Sequence, residues 1–145
     1  SRARAVLTDL SRTTGETSIF SIREGGESVA LAQAVGRAHP IRVEDEEGSR
    51  RPITRGAGPL AILAFEPMSV RAQFDAPTSE LTLIRERGWS EGRGELRAAV
   101  HGVAVPVLSG AQVLGSIALL VPEERSATLT DWLPELRAAA ETLAG

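Results

Sequence analysis

The sequence predicts an α+β domain built on an antiparallel sheet, and three observations carry that prediction. Glycine-centred turn signals at Gly25-Gly26 and at Ser109-Gly110-Ala111 each join two strand-like runs. Amphipathic helical patterns stand at both ends of the chain. The order that results is helix, strand pair, helices, strand pair, helix. At 145 residues the chain fits one domain with one core, read here as residues 1–145.

Residues 3–14 read as the first helix, because Ala3, Val6, Leu7 and Leu10 recur at helical spacing along one face. Gly15 stands where a left-handed cap is wanted. Residues 16–24 and 27–35 read as a hairpin closed by Gly25-Gly26, and a short extended piece follows at 39–43. Residues 44–55 run from acidic to basic, with Gly48 and Pro52, and read as a mobile loop.

Residues 56–65 read as a helix with Leu60, Leu63 and Ala64 on one face and Pro67 beyond its end. A further helix is expected over 77–87, with Thr78 or Ser79 as N-cap, Leu81 and Ile84 inward and Gly88 as its stop. Residues 89–95 read as a glycine-rich loop. Val100–Leu108 and Gln112–Val121 then make the closing strands. The last helix is expected over 130–144, capped by Thr128 or Thr130, with Pro134 tolerable in its first turn and Leu136, Ala140 and Leu143 as its stripe.

Composition excludes several function classes. Cysteine is absent, so disulfides, thiolate nucleophiles and cysteine metal sites are excluded together. The two histidines, His39 and His101, are far apart, which argues against a histidine metal centre. Glu44 to Glu47 form a run of four acids that reads as a solvated surface. No metal site and no cofactor are expected. The net charge is −3 and the densest basic group is only Arg50, Arg51 and Arg55, so the chain lacks the basic face that DNA binding by itself would need. No apolar run reaches the ~18 residues of a membrane span, and a cytoplasmic location is the expectation. No nucleophile–base set, nucleophile elbow or phosphate-binding loop occurs, so no enzyme is expected.

The closing strands are the most informative feature. A sheet with one wet face alternates polar and apolar residues. Val103 to Leu108 and Ile117 to Val121 are apolar at successive positions instead, so both faces need cover. The terminal helices can cover one. The loop 44–58, the helix 56–65 and the loop 89–98 are the candidates for the other. Small residues under that roof (Gly102, Ala104, Gly115 and Ala118) leave room for a cavity of roughly a few hundred Å³, the size of small-molecule sites. The alternative is that roof side chains such as Leu60 or Trp89 fill it.

An ordered set of segments resembles the effector-binding domain of IclR-type transcription regulators. Thr14-Gly15-Glu16-Thr17 resembles the family's TGET, and Ala38-His39-Pro40-Ile41-Arg42 its HPLR-type extension. Pro52-Ile53 through Leu60–Phe65 resembles its loop–helix segment, and Ile84–Ser90 followed by Glu95-Leu96 resembles IRERGYA…EE. Gly102–Val107 resembles CIAAPV, and Val121-Pro122 the GP that ends the last strand. The resemblance covers nearly the whole chain. It implies a GAF-like (profilin-like) fold of about six antiparallel strands, with terminal helices on one face and a ligand pocket on the other. It also implies a winged helix-turn-helix DNA-binding domain upstream, absent from this chain, and self-association as dimers or tetramers. Partners would be a small-molecule effector and other copies, with DNA reached only through the missing domain and no membrane.

The departures from the family pattern bear on the ligand. Its thiol position falls on Gly102, its two hydroxyl positions on Ala118 and Leu120, and an acidic position near Gly92 or Arg93. The Gly-Lys step of its loop–helix segment falls on Pro59-Leu60. Groups suited to a small polar carboxylate are thus missing, and a more apolar or aromatic effector, or a degenerate site, is implied. The residues expected at the ligand are Ile53, Gly56, Ala57 and Leu60 in the roof, Trp89 and Arg93 in the second loop, and Val100, Gly102, Ala104, Ala118 and Leu120 on the closing strands. Arg93 could pair with an anion or stay solvated, and Trp89 could stack on a ligand or cap the core. His101 should point to the opposite strand face from Gly102. His39 is expected to be structural, as is Glu16, whose carboxylate would bond backbone. Pro106 within a strand demands a bulge or an unpaired edge.

Overall fold

A computed structural model describes residues 1–145. Helix α1 (Arg2–Thr14) leads into the hairpin β1 (Thr17–Glu24) and β2 (Glu27–Ala34). The edge strand β3 (Arg50–Pro52) precedes helices α2 (Ala57–Leu63), α3 (Met68–Arg71) and α4 (Thr78–Arg87). Strands β4 (Ser90–Arg93), β5 (Val100–Ser109) and β6 (Gln112–Pro122) follow. A 3-10 stretch over Glu123–Trp132 then enters α5 (Leu133–Ala144). The six strands form one sheet in the order β3-β2-β1-β6-β5-β4, every pairing antiparallel.

Local chemistry explains most boundaries. The Ser1 hydroxyl accepts from Arg4 N–H at the start of α1, and Gly15 ends it in the left-handed region, its N–H donating to Ser11 O. Gly88 ends α4 in the same way. The hairpins close with Glu24 opposite Glu27 and Ser109 opposite Gln112, so each loop is two residues long. Expected side-chain caps are absent. Pro77, not Thr78 or Ser79, precedes α4, and Trp132, not Thr128 or Thr130, precedes α5. Residues 123–132 wind as 3-10 helix instead, with Thr128 off helical geometry, which delays α5 to Leu133.

Strands β3 and β4 replace what the sequence presents as loops. Both are short edge strands of charged or small residues, without the apolar alternation that marks a strand. The piece at 39–43 joins no ladder, although Val43 is buried and its carbonyl accepts from the Thr17 hydroxyl. Pro106 lies on the part of β5 beyond the reach of β4, whose pairing stops at Ala104, so its missing donor breaks no bond to an outer strand.

Both faces of the closing hairpin are covered. Val103, Val105, Val107, Ile117, Leu119 and Val121 point to α1 and α5, joining Leu7, Leu10, Leu133 and Leu136 in the main core. The opposite face carries a small cluster in which Ala57 and Ala61 of α2 rest on Ala104 and Ala118. A third cluster joins α2 to α4 through Leu60, Leu63, Leu81 and Ile84.

Two bulges set which residues face where. Phe20 pairs with Ala32 but Ser21 with Ala30, so Leu31 is an extra residue in β2. Val107 pairs with Gly115 but Leu108 with Val113, so Leu114 is extra in β6. Ala32 therefore packs on the terminal-helix core, whereas Ala30, two residues earlier, faces the other side.

Candidate functional site

The face opposite the terminal helices holds a pocket between the sheet and a roof. Its floor combines Ile19 and Ser21 of β1, Ser28 and Ala30 of β2, and Gly102, Ala118 and Leu120 of β5 and β6. Its roof combines the turn and N-terminal end of α2, Gly56–Pro59, with Asp45, Ser49 and Arg51 on one side and Gly94–Arg97 on the other. These are the three roof segments expected from the sequence. The accessible space is about 80 Å³, within a partly open envelope of about 690 Å³. The enclosed part is thus smaller than expected, because α2 lies directly on the sheet, alanine against alanine.

Small residues make the remaining space. A methyl group on Gly102 would stand 3.1 Å from Leu120 Cδ2 and 3.4 Å from Ala57 Cβ. At Gly56 it would overlap Leu96, whose side chain closes the roof there. The Ser116 hydroxyl donates to Gly58 O at 2.9 Å and pins the start of α2 to β6. The roof segments are also tied to one another. Arg97 donates to Glu44 O at 3.0 Å and Arg55 to Glu95 O at 2.7 Å.

Of the residues expected at a ligand, Gly56, Ala57, Val100, Gly102, Ala118 and Leu120 border this pocket. The others do not. Ile53 and Leu60 are buried in the cluster between α2 and α4, since the helical face that carries Leu60 turns away from the sheet. Ala104 is sealed beneath α2 in the alanine cluster. Trp89 packs against the main core and carries the Arg87 guanidinium 3.6 Å from its ring centroid, a cation–π contact. Arg93 is largely exposed, 3.5 Å from Glu91. His101 borders the pocket, but its imidazole lies 3.9 Å from Glu123.

The polar residues of the pocket were the least visible in the sequence. Ser21, Ser28, Asp45, Ser49, Arg51, Glu95 and Arg97 all line it. Ser28 could be placed only with the bulge at Leu31 known, and Arg51 only with β3 recognised. The acidic run is likewise partly built in. Asp45 exchanges two 2.7 Å hydrogen bonds with the Gln33 side-chain amide through its backbone, and its carboxylate faces Arg51. Glu47 accepts from Gln33 N–H and pairs with Arg4 of α1. The hydrogen bond from Arg4, and then that from Gln33, hold the Glu47 carboxyl below its ordinary range.

Away from the pocket, Glu16 is structural through a side chain rather than the backbone. It receives two 2.9 Å bonds from Arg125, whose guanidinium is thereby held more firmly protonated than usual. No three metal-ligating side chains converge anywhere in the chain. No helix is long and apolar enough to cross a membrane.

Comparison with known proteins agrees with this architecture. Residues 1–144 match the family "Bacterial transcriptional regulator IclR C-terminal". No curated protein matches in sequence. Among solved structures, the C-terminal domain of a protein assigned as a transcriptional regulator in Vibrio cholerae superposes with a TM-score of 0.86 at 25% identity, covering 97% of this chain and 93% of that one. A chain assigned to the IclR regulators of Silicibacter sp. gives 0.88 at 28% identity, covering 99% of this chain and 64% of its own. The Thermotoga maritima IclR protein, at 20% identity, shares the fold with a TM-score of 0.88, covering 99% of this chain and 66% of that one. The chain thus spans about two thirds of the longer regulators it matches. Regulators of this kind are not enzymes, and the α+β, GAF-like architecture is theirs. By match and by fold, this chain belongs to the IclR family of bacterial transcriptional regulators, as their C-terminal domain.

Proposed function

We propose that the chain is the sensing half of its regulator and that the pocket between the sheet and the roof receives a small-molecule effector. The observation that carries this reading is the pocket's construction. Three separate segments, residues 45–51, 56–59 and 94–97, meet over one patch of sheet without sealing it. A guest there touches every roof segment at once, so its binding favours one arrangement of them over others. That is the physical requirement for a ligand to shift a conformational equilibrium. Val100, Ala118, Leu120 and Ile19 offer the guest an apolar wall, which suits an effector with an aromatic or acyl body.

In the longer protein, a winged helix-turn-helix domain upstream would read the change as altered operator affinity. A coupling of about 1–3 kcal/mol would suffice. Self-association as dimers or tetramers and a cytoplasmic location complete the proposal. A thermal-shift screen with aromatic acids, phenols and short acyl compounds tests it. Stabilisation by one class supports sensing, and no response from any class overturns it.

One observation favours a second reading, in which the domain only oligomerises its regulator. The enclosed space is small, about 80 Å³, and α2 is seated tightly on the sheet. Light scattering that shows a stable oligomer, unchanged by every compound in the screen, would select this scaffold reading.

A further inference from the structure

We propose that Arg51 selects the charge of the effector, exchanging its loose pairing with Asp45 for an oxyanion carried by the guest. The proposal rests on the sensing function above and adds the chemistry of the head group.

The sheet register places the residues. Arg51 pairs directly with Ser28 across β3 and β2, so the two share a face. Ser21 pairs with Ala30 and with Ser116, whose hydroxyl reaches α2, so Ser21 lies on that face too. All three line the pocket. Ser21 and Ser28 are almost fully buried residues that border the pocket. The Arg51 Nε–H is buried and has no partner. A buried donor without an acceptor is uncommon and asks for an explanation.

The present partner of Arg51 is a poor one. Nη2 stands 3.4 and 3.5 Å from the two Asp45 oxygens, against about 2.7–2.9 Å for a well-made guanidinium–carboxylate bond. Asp45 does not depend on it. The Asp45 carboxylate also accepts from Glu46 N–H at 2.9 Å and from the Ser49 hydroxyl at 3.4 Å, and the Gln33 amide holds its backbone. The other basic group at the wall is engaged, with Arg97 bonded to Glu44 O. The second carboxylate there, Glu95, accepts the Arg93 N–H. Arg51 is therefore the cation that can re-pair at least cost. A planar oxyanion meets its Nε and Nη2 side by side, a geometry an ammonium could not offer. The serine hydroxyls are placed to donate to the same head group.

The apolar wall and this polar corner together describe an amphipathic guest: an aromatic or acyl body with an oxyanion at one end. The sequence-based preference for an apolar guest holds for the β5–β6 side alone, because the polar corner is built by β1, β2 and β3.

Calorimetric titration of the chain with two matched pairs, benzoate against benzamide and hexanoate against hexanamide, tests the proposal. In the wild type the carboxylate of a pair should bind about tenfold or more tightly than its amide, the scale of a charge-assisted hydrogen bond. In Arg51→Gln that preference should vanish, with carboxylate binding falling to the level of the amide. Asp45→Asn should tighten carboxylate binding about threefold by freeing Arg51, and this variant decides the matter if Arg51→Gln loses its fold. Equal binding of carboxylate and amide, or a charge preference that survives in Arg51→Gln, overturns the role of Arg51 and leaves the sensing pocket standing. No binding by either pair overturns both.

Discussion

The two faces of the sheet are built to different rules. Toward α1 and α5, β5 and β6 present valine, isoleucine and leucine, and nearly every one is fully buried. Toward α2 the same strands present Gly102, Ala104, Ser116 and Ala118. The strands are shared, so propensity and pairing are common to both faces and only side-chain volume differs. One face gains stability from burial, at about 25 cal/mol per Å² of apolar surface. The other gives up that gain and keeps space beside α2.

Neighbours in one strand, on opposite faces, carry the largest expected difference. Leu119 is fully buried on the helix face, and Leu120 is half-buried on the pocket face. Leu119→Ala should cost about 2–5 kcal/mol in urea unfolding. Leu120→Ala should cost less than half of that, and equal costs would dissolve the distinction. A smaller effect is expected from overfilling. Ala104→Leu forces a large side chain between β5 and α2, at about 1–3 kcal/mol, and should lift α2 enough to speed amide exchange there. Unchanged exchange would mean that the alanine seat is not what holds the helix.

Gly102→Ala should be nearly neutral for stability, within about 1 kcal/mol, because the added methyl meets the movable end of Leu120. It should nevertheless weaken carboxylate binding by narrowing the pocket, as calorimetry can read. The smallest effect concerns the roof's tie to α1. The Glu47 carboxyl is held low by Arg4 and Gln33, so this contact supports the fold above the ordinary carboxylate range and is lost as pH falls through the lowered value. An NMR titration should find the Glu47 carboxyl below the ordinary range, and Arg4→Gln should raise it only part of the way back, since the bond from Gln33 N–H remains.

The same contrast decides what could be read from the sequence. The helix face was legible because large apolar residues recur with the strand and helix periods, and the two hairpins announce themselves by glycine. The need for a roof, and the three segments that supply it, followed from the unbroken apolar runs of β5 and β6. The pocket's other half was not legible. Arg51 sits among charges that look like loop, and β3 exists only because β2 offers it an edge. Ser28 and Ala30 look misplaced by simple alternation until Leu31 is seen to be supernumerary. Ile53, Leu60 and Ala104 are expected at a ligand because they are near it in sequence, but Ile53 and Leu60 pack between α2 and α4, and Ala104 is covered by the alanines of α2.

Leu31 has a consequence for how this domain can vary. A single inserted position acts as a phase shift: everything before it in the strand is inverted relative to everything after it. Deleting Leu31 alone would remove no buried side chain, since it is exposed. It would leave Phe20 opposite Ala32 and Ser21 opposite Ala30 in an unbulged ladder, with Ser28 and Ala30 still on the pocket side and only the local bend of β2 relaxed. A change of length in β2 that no bulge absorbs would instead exchange the two sides of the strand and carry Ser28 and Ala30 away from the pocket.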